Sequence, residues 1–226
     1  MARNVSTQSS VFEEAILPAN ITKCMERMAH LRLGASIKTV ADSNRCASVF
    51  VPFCHDQHKR PALLFTQRSF ALKNHRGQVC FPGGFAEHQD ADVIEAAQRE
   101  LIEEIGVDKE KITIFGALNP IAFRDFPLHP VLGYLDLSAI NGQVDRLPIS
   151  RDEVDSIFLV TLEDLVRKQF WHKTHFSHRW TMPVFVNNHD PRIWGMTACI
   201  LYILLCNLVP RHFQFDSAYL NRSTFR

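Results

Sequence analysis

Apolar positions along this chain follow two periods, and the places where one gives way to the other mark out the elements. Ile21, Cys24, Met25, Met28 and Leu31 recur at helical spacing behind Asn20, a residue suited to capping, so a helix is expected from Ile21 to about Leu33. Ala47 to Cys54 and Ala62 to Gln67 are rich in β-branched and aromatic residues and read as strands, with His55 to Pro61 as a polar hairpin connection. Val93, Ala96, Ala97, Leu101 and Ile105 return to the helical period over Asp92 to Ile105. Lys111 to Leu118 and Val131 to Leu137 read as strands, and Asn119 to Pro130, with three prolines, reads as a long connection. A strand over Val154 to Val160, a short helix over Thr161 to Lys168, and a hairpin from Trp171 through Trp180 into a strand ending at Val186 come next. The last element is an apolar helix over Ile193 to Val209, shorter in its apolar part than a membrane span. Strands alternating with helices indicate an α/β chain.

At 226 residues the chain can bury a sizeable core and suits one elaborated domain better than two. With 25 basic and 24 acidic residues it has no surplus charge for a general nucleic-acid or membrane footprint, so an anionic ligand must be held locally. Six cysteines are scattered without a paired spacing or a zinc pattern and read as small core residues in a reducing compartment. In that setting the Asn-x-Ser/Thr triplets at Asn4, Asn20 and Asn221 are chance matches.

Candidate chemistry centres on Arg99-Glu100-Leu101-Ile102-Glu103-Glu104-Ile105-Gly106-Val107. On a helix, Glu100, Glu103 and Glu104 stand at i, i+3 and i+4 and project from one side. Like charges this close repel, so the cluster needs a basic neighbour or a divalent cation. Phe81-Pro82-Gly83-Gly84 supplies a turn whose backbone can approach a ligand without obstruction by Cβ, and it leads into this helix near Asp90 to Asp92. Oxygen ligands of this kind suit Mg²⁺ or Mn²⁺ bridging to phosphates, which points to hydrolysis of a phosphate anhydride. A Glu-rich helix is otherwise a solvated face, and Gly106 is explained equally well as a C-terminal cap. The glycine pair upstream and Arg99 beside the acids favour the metal reading.

These residues resemble the box of the Nudix hydrolases: Gly, five residues, Glu, seven residues, Arg-Glu, an aliphatic, any residue, Glu-Glu, any residue, Gly, an aliphatic. Arg99 to Val107 matches in full. The first half departs, because Asp90 stands where the pattern has Glu, and eight residues rather than seven separate it from Arg99. The preceding segment, Leu63 to Ser69 and Leu72 to Gly84, resembles the signature of the coenzyme A diphosphatase subfamily, with Lys73 where that pattern usually has Arg. Arg179 to Phe185 and Ile193 to Ala198 are similar to C-terminal segments of its mitochondrial-type animal members. The resemblance covers about residues 45 to 210.

What it implies is a Nudix α/β/α sandwich, a mixed β-sheet between helices, over residues 34–210, with an N-terminal extension and packing helix over 1–33 and a tail over 211–226. The implied reaction is metal-dependent hydrolysis of coenzyme A and acyl-coenzyme A to 3′,5′-ADP and a 4′-phosphopantetheine. Mg²⁺ or Mn²⁺ would be held by the carbonyl of Gly83 and by Glu100, Glu103 and Glu104. Glu153 would be a further acidic ligand or an ordinary surface residue. Glu103 or Glu104 would be the base, and Arg99 would tie the carboxylates together. Arg68, Ser69, Lys73, His75 and Gln78 would contact the substrate, unless Ser69 to Gln78 is simply a solvated basic loop. Phe70 is open between stacking on adenine and core packing, and Arg124, Asp125 and His129 are candidates for a pocket wall.

The box leaves open another nucleoside diphosphate derivative, a dinucleotide or nucleotide-capped RNA, and also a non-catalytic metabolite-binding protein, which the intact acids disfavour. Three histidines, His172, His175 and His178, lack partners for a zinc site. The expected partner is the small-molecule substrate, without obligatory nucleic acid or membrane span, in a monomer or homodimer. Localisation in the mitochondrion follows from the subfamily, with the cytoplasm as the alternative. The first ten residues are faintly like a transit peptide, and Thr224-Phe225-Arg226 is no peroxisomal signal.

Overall fold

A computed structural model describes residues 11–30, 45–123, 126–177 and 180–213. Two strands organise it, β1 (Ala47–His55) and β2 (Pro61–Arg68), paired antiparallel through a tight turn in which Asp56 accepts from the backbone of His58 and Arg60. Both are almost continuously apolar because the sheet is covered on both faces. Alternate side chains therefore enter two cores. Phe50, Cys54, Ala62 and Leu64 pack with Ala97, Leu101 and Ile105 of helix α2 (Val93–Ile105). Val51, Phe53, Leu63 and Phe65 pack on the other side with helices α1 (Pro18–Ala29) and α4 (Gly195–Leu208).

The main sheet is mixed. β1 pairs parallel with β7 (Phe126–Leu135) and antiparallel with β4 (Gly83–Phe85). β2 pairs antiparallel with β3 (Val79–Cys80) and β8 (Val154–Thr161), while β7 also pairs with β5 (Ile112–Ala117) and β6 (Ile121–Phe123). A separate hairpin, β9 (Trp171–Ser177) with β10 (Trp180–Phe185), lies against α4, and the short α3 (Leu162–Leu165) is capped by Thr161. Helix, mixed sheet and helix form an α/β/α sandwich.

Three expectations require correction. The first helix runs Pro18–Ala29 rather than from Ile21 to about Leu33. Asn20 does not cap the first helix, because Pro18 occupies its first turn, where a missing N–H costs nothing, and Leu17 is the cap. Asn20 instead bonds the Glu14 carbonyl from within the helix at 2.7 Å. Asn119 to Pro130 is no open connection either, since β6 and the first half of β7 form a hairpin across it. Two of its prolines enter the sheet, where they can act only as acceptors: Pro127 stands opposite Ala122, and Pro130, opposite Val49, accepts from the Leu118 N–H at 2.8 Å. Arg124 and Asp125 lie outside the described residues, and His129 sits in β7 opposite Ser48, where burial lowers its pKa.

The Ile193 to Val209 segment is buried as expected, and no described helix is long and apolar enough to cross a membrane. All six cysteines are free. The strand expected to end at Val186 stops at Phe185, and His178 and Arg179 lie outside the described residues.

Candidate functional site

Local chemistry fixes the helix that carries the acids. Asp92 caps α2 by accepting from the N–H groups of Ile94 and Glu95 at 2.8 and 2.9 Å, and Gly106 closes it in the left-handed region at φ 67°, donating to the Ile102 carbonyl. The strand before it, β4, pairs Gly83 with Val49 and Gly84 with Ser48. Neither glycine has room for a side chain. A Cβ at Gly83 would strike the β1 backbone, and one at Gly84 would strike the Glu100 carboxylate. The glycine pair thus lets the sheet edge and the acidic helix meet at backbone distance.

Arg99 locks this junction. Its guanidinium holds Asp90 through two bonds of 3.0 Å, Glu100 at 3.0 Å, Glu103 at 2.9 Å and the Phe85 carbonyl at 3.1 Å. The Asp90 side chain is 2% exposed, and this fork holds it well below the usual carboxylate range. Asp90, the residue at which the box departs from its pattern, is thereby the anchor of Arg99. Its position in the motif was the one signal of that role in the sequence.

The acids do not share one environment. Glu104 is 2% exposed, and burial pushes its carboxyl up to about 8 against the pull of Arg68 and the Gly83 N–H. Its Oε2 has no hydrogen-bond partner. Glu100 is also raised, first by burial, with Arg99 opposing. Glu103 is 55% exposed along its side chain and is engaged by Arg99. Among the described residues, the set able to offer three ligand atoms within 4.8 Å of one another is Glu100, Glu104 and Glu153. The structure therefore brings Glu153 in from the start of β8 and leaves Glu103 beside the cluster rather than in it.

An orphaned buried oxygen within a close group of three carboxylates suits a divalent cation, which would satisfy the oxygen and offset the repulsion. The residues present fit such an ion.

The second side of the site is the loop from Ser69 to Gln78. Ser69 is buried; its N–H bonds the Glu153 carbonyl at 2.8 Å, and its hydroxyl accepts from Ala71 N–H. At the loop's far end Arg68 N–H bonds the Gln78 carbonyl, and Gly77 N–H bonds the Arg68 carbonyl. Lys73, His75 and Arg76 are exposed, with His75 in a left-handed turn (φ 56°) and its Nδ1 2.9 Å from Gln78 Oε1. Arg68 is different: its guanidinium neighbours Glu104 and the Cys80 thiol, and its Nε is buried without a partner. Its charge acts on Glu104, a pairing of which an arginine at the end of an apolar strand gave no hint. Thr197 on α4 bonds the Val79 carbonyl at 3.1 Å, tying the C-terminal helix to this strand.

Comparison with known proteins agrees with this geometry. The NUDIX domain pattern matches residues 44–181. The mitochondrial coenzyme A diphosphatase NUDT8 of Mus musculus is 34% identical over 209 residues, covering 88% of this chain and 95% of that protein. The Homo sapiens protein of the same name is 36% identical, covering 74% of this chain and 71% of its own length. An uncharacterized Nudix hydrolase, NudL, of Pectobacterium atrosepticum is 34% identical over 80% of this chain and 91% of its own. Pattern, carboxylate cluster and relatives agree, and the chain belongs to the Nudix hydrolase family, as a Nudix pyrophosphohydrolase.

Proposed function

We propose that this chain hydrolyses the diphosphate of coenzyme A and its acyl thioesters, releasing 3′,5′-ADP and (acyl-)4′-phosphopantetheine. The observation that carries this reading is the junction of the site's two sides. The basic loop that resembles the coenzyme A signature begins at Ser69, and Ser69 is bonded to Glu153 of the carboxylate cluster at 2.8 Å. A diphosphate at the cluster would meet the loop at Ser69, and Lys73, His75 and Arg76 further along it carry groups that suit the phosphates of the nucleotide half. The names of the two mammalian relatives support the same substrate and a mitochondrial location.

Glu100, Glu104 and Glu153 would hold the cation, Mg²⁺ or Mn²⁺, with the Gly83 carbonyl beside them. When bound, such an ion neutralises the diphosphate and lowers the pKa of an attacking water. The remaining work falls to the chain. Arg99 orients Glu100 and Glu103 while its fork on Asp90 keeps it in place. Arg68 offsets the buried charge of Glu104. Of the two acids open as base, Glu103 has the solvent access needed to take a proton from water.

Product chromatography tests the substrate. Pure protein is incubated with coenzyme A, acetyl-coenzyme A, NADH, ADP-ribose and a dinucleoside polyphosphate, with and without Mg²⁺ or Mn²⁺. Metal-dependent 3′,5′-ADP formation well above the other cleavages is expected. Preferential cleavage of another compound would keep the Nudix chemistry and overturn the substrate.

A further inference from the structure

Few large apolar side chains on the described surface are exposed, and two of them flank the carboxylate cluster. Phe85 ends the glycine strand and is 39% exposed; Phe70 follows Ser69 and is 58% exposed. Singly exposed apolar side chains are common on protein surfaces, so exposure alone argues for nothing, and what decides is whether the surroundings supply a reason for it. Phe85 has one inside the protein, because the Arg45 guanidinium lies 4.3 Å from its ring centre and Phe126 meets it edge-on at 4.8 Å. Among the described residues no aromatic ring or cation lies on Phe70.

Phe70 does have one neighbour in its own loop. Its ring rests on Gly77, where an added Cβ would come 2.5 Å from the ring carbon Cε1, and Gly77 itself is left-handed at φ 66°. The left-handed backbone alone calls for glycine at this position, and the absence of a side chain there leaves room for the ring, which remains open to solvent. Chain geometry places the Phe70 backbone within about 8 Å of the Glu153 carbonyl, since Ser69 N–H bonds that carbonyl. Lys73 and Arg76, both exposed, belong to the same short loop. A seated and uncovered aromatic among cations, beside an anhydride-cleaving centre, has the composition of a nucleotide platform, where the ring takes the base and the cations take the phosphates.

We propose that Phe70 is the surface on which the purine base of the substrate stacks, with Gly77 as its seat. This rests on the reading above only in that the substrate carries an adenine nucleotide, and it holds equally for coenzyme A and for an adenine dinucleotide.

The test compares wild type with Phe70→Ala, Phe70→Leu and Phe70→Trp in the full chain with Mg²⁺. Steady-state kinetics on coenzyme A and on diadenosine tetraphosphate are joined to calorimetric binding of 3′,5′-ADP and of 4′-phosphopantetheine. Phe70→Ala is expected to weaken 3′,5′-ADP on the order of 10-fold or more, to raise KM for both adenine substrates far more than it lowers kcat, and to leave 4′-phosphopantetheine unchanged. Phe70→Trp is expected to restore affinity and Phe70→Leu to fail to do so. Equal affinity in Phe70→Ala and wild type, full rescue by Phe70→Leu, or a fall in kcat with KM unmoved would each overturn the proposal, as would wild type that binds no adenine nucleotide. Absence of coenzyme A cleavage would remove the substrate reading alone, and the 3′,5′-ADP ratios would still decide the role of Phe70.

Discussion

The glycine turn with its helix, and the loop from Ser69 to Gln78, meet at the same carboxylates but are built by opposite means. In the first, side chains are fixed by one another: Arg99 alone engages Asp90, Glu100, Glu103 and the Phe85 carbonyl, two glycines bring backbone against acid, and one buried Glu104 oxygen is left for a cation. In the second, side chains are left open, with Lys73, His75, Arg76 and Phe70 exposed over a frame of a few backbone bonds. A buried acid held among fixed partners changes the reaction when it is lost, whereas a solvated cation that a ligand must immobilise changes affinity. The comparison therefore divides kcat from KM.

The sharpest way to break it is Glu104→Gln, expected to lower kcat by about 10³-fold or more with the fold intact. Measured turnover near wild type would remove Glu104 from the site. Glu104 also makes a pH statement. Its folded carboxyl sits at about 8 against an ordinary value of 4.5, so the folded state holds an extra proton between those values. That stability is present below pH 4.5 and is lost as pH rises through about 8, on the order of a few kcal/mol. Thermal melts of metal-free protein should show wild type losing stability relative to Glu104→Gln across this range; parallel curves would contradict the burial argument. Arg99→Ala comes next, because it leaves the carboxylate of Asp90, a half-buried residue, with the Glu87 N–H in place of a bidentate cation. It is expected to cost about 1.5–3 kcal/mol in denaturant unfolding, with Arg99→Lys intermediate.

Glu103→Gln is expected to lower kcat by about 10²-fold, if it takes the proton, without weakening metal binding. Arg68→Ala should lower kcat for every substrate alike, since its charge acts on Glu104; a KM effect confined to coenzyme A would instead make it a reader of the substrate. The smallest effect belongs to Lys73→Ala, a few-fold rise in KM for coenzyme A relative to a dinucleotide lacking the 3′-phosphate, and weaker at high salt.

Periodicity indicated the alternation of strands and helices, because β1 and β2 are buried on both faces and α2 on one, while the sandwich itself was implied by the family resemblance. Asp92 to Ile105 shows this best, where the cap, the apolar stripe and Gly106 agree locally and in the fold. Asn20 misled because capping preference is a local weight, and Pro18 supplied a stronger start to the helix. The Asn119 to Pro130 ribbon was hidden by its prolines, which signal turns, although a proline such as Pro130 can still join a sheet through its carbonyl. In the site, the box identified the acidic helix, yet three acids within one turn do not reveal which way the helix is rotated. Packing of Leu101 and Ile105 into the sheet turns Glu100 and Glu104 inward and leaves Glu103 for Arg99. Glu153 is distant in sequence from the others and enters through the β2–β8 register, which pairs Arg68 with Val154. No local pattern encodes that pairing.

Mn²⁺ binding, followed by electron paramagnetic resonance on wild type, Glu104→Gln, Glu153→Gln and Glu103→Gln, tests the carboxylate assignment most directly. Glu104→Gln and Glu153→Gln are expected to lose at least about 10-fold in affinity, since even the outer partners of a metal site are worth about 10- to 100-fold, while Glu103→Gln keeps it. Loss in Glu103→Gln with Glu153→Gln unchanged would contradict it and return the metal to the three acids of the helix.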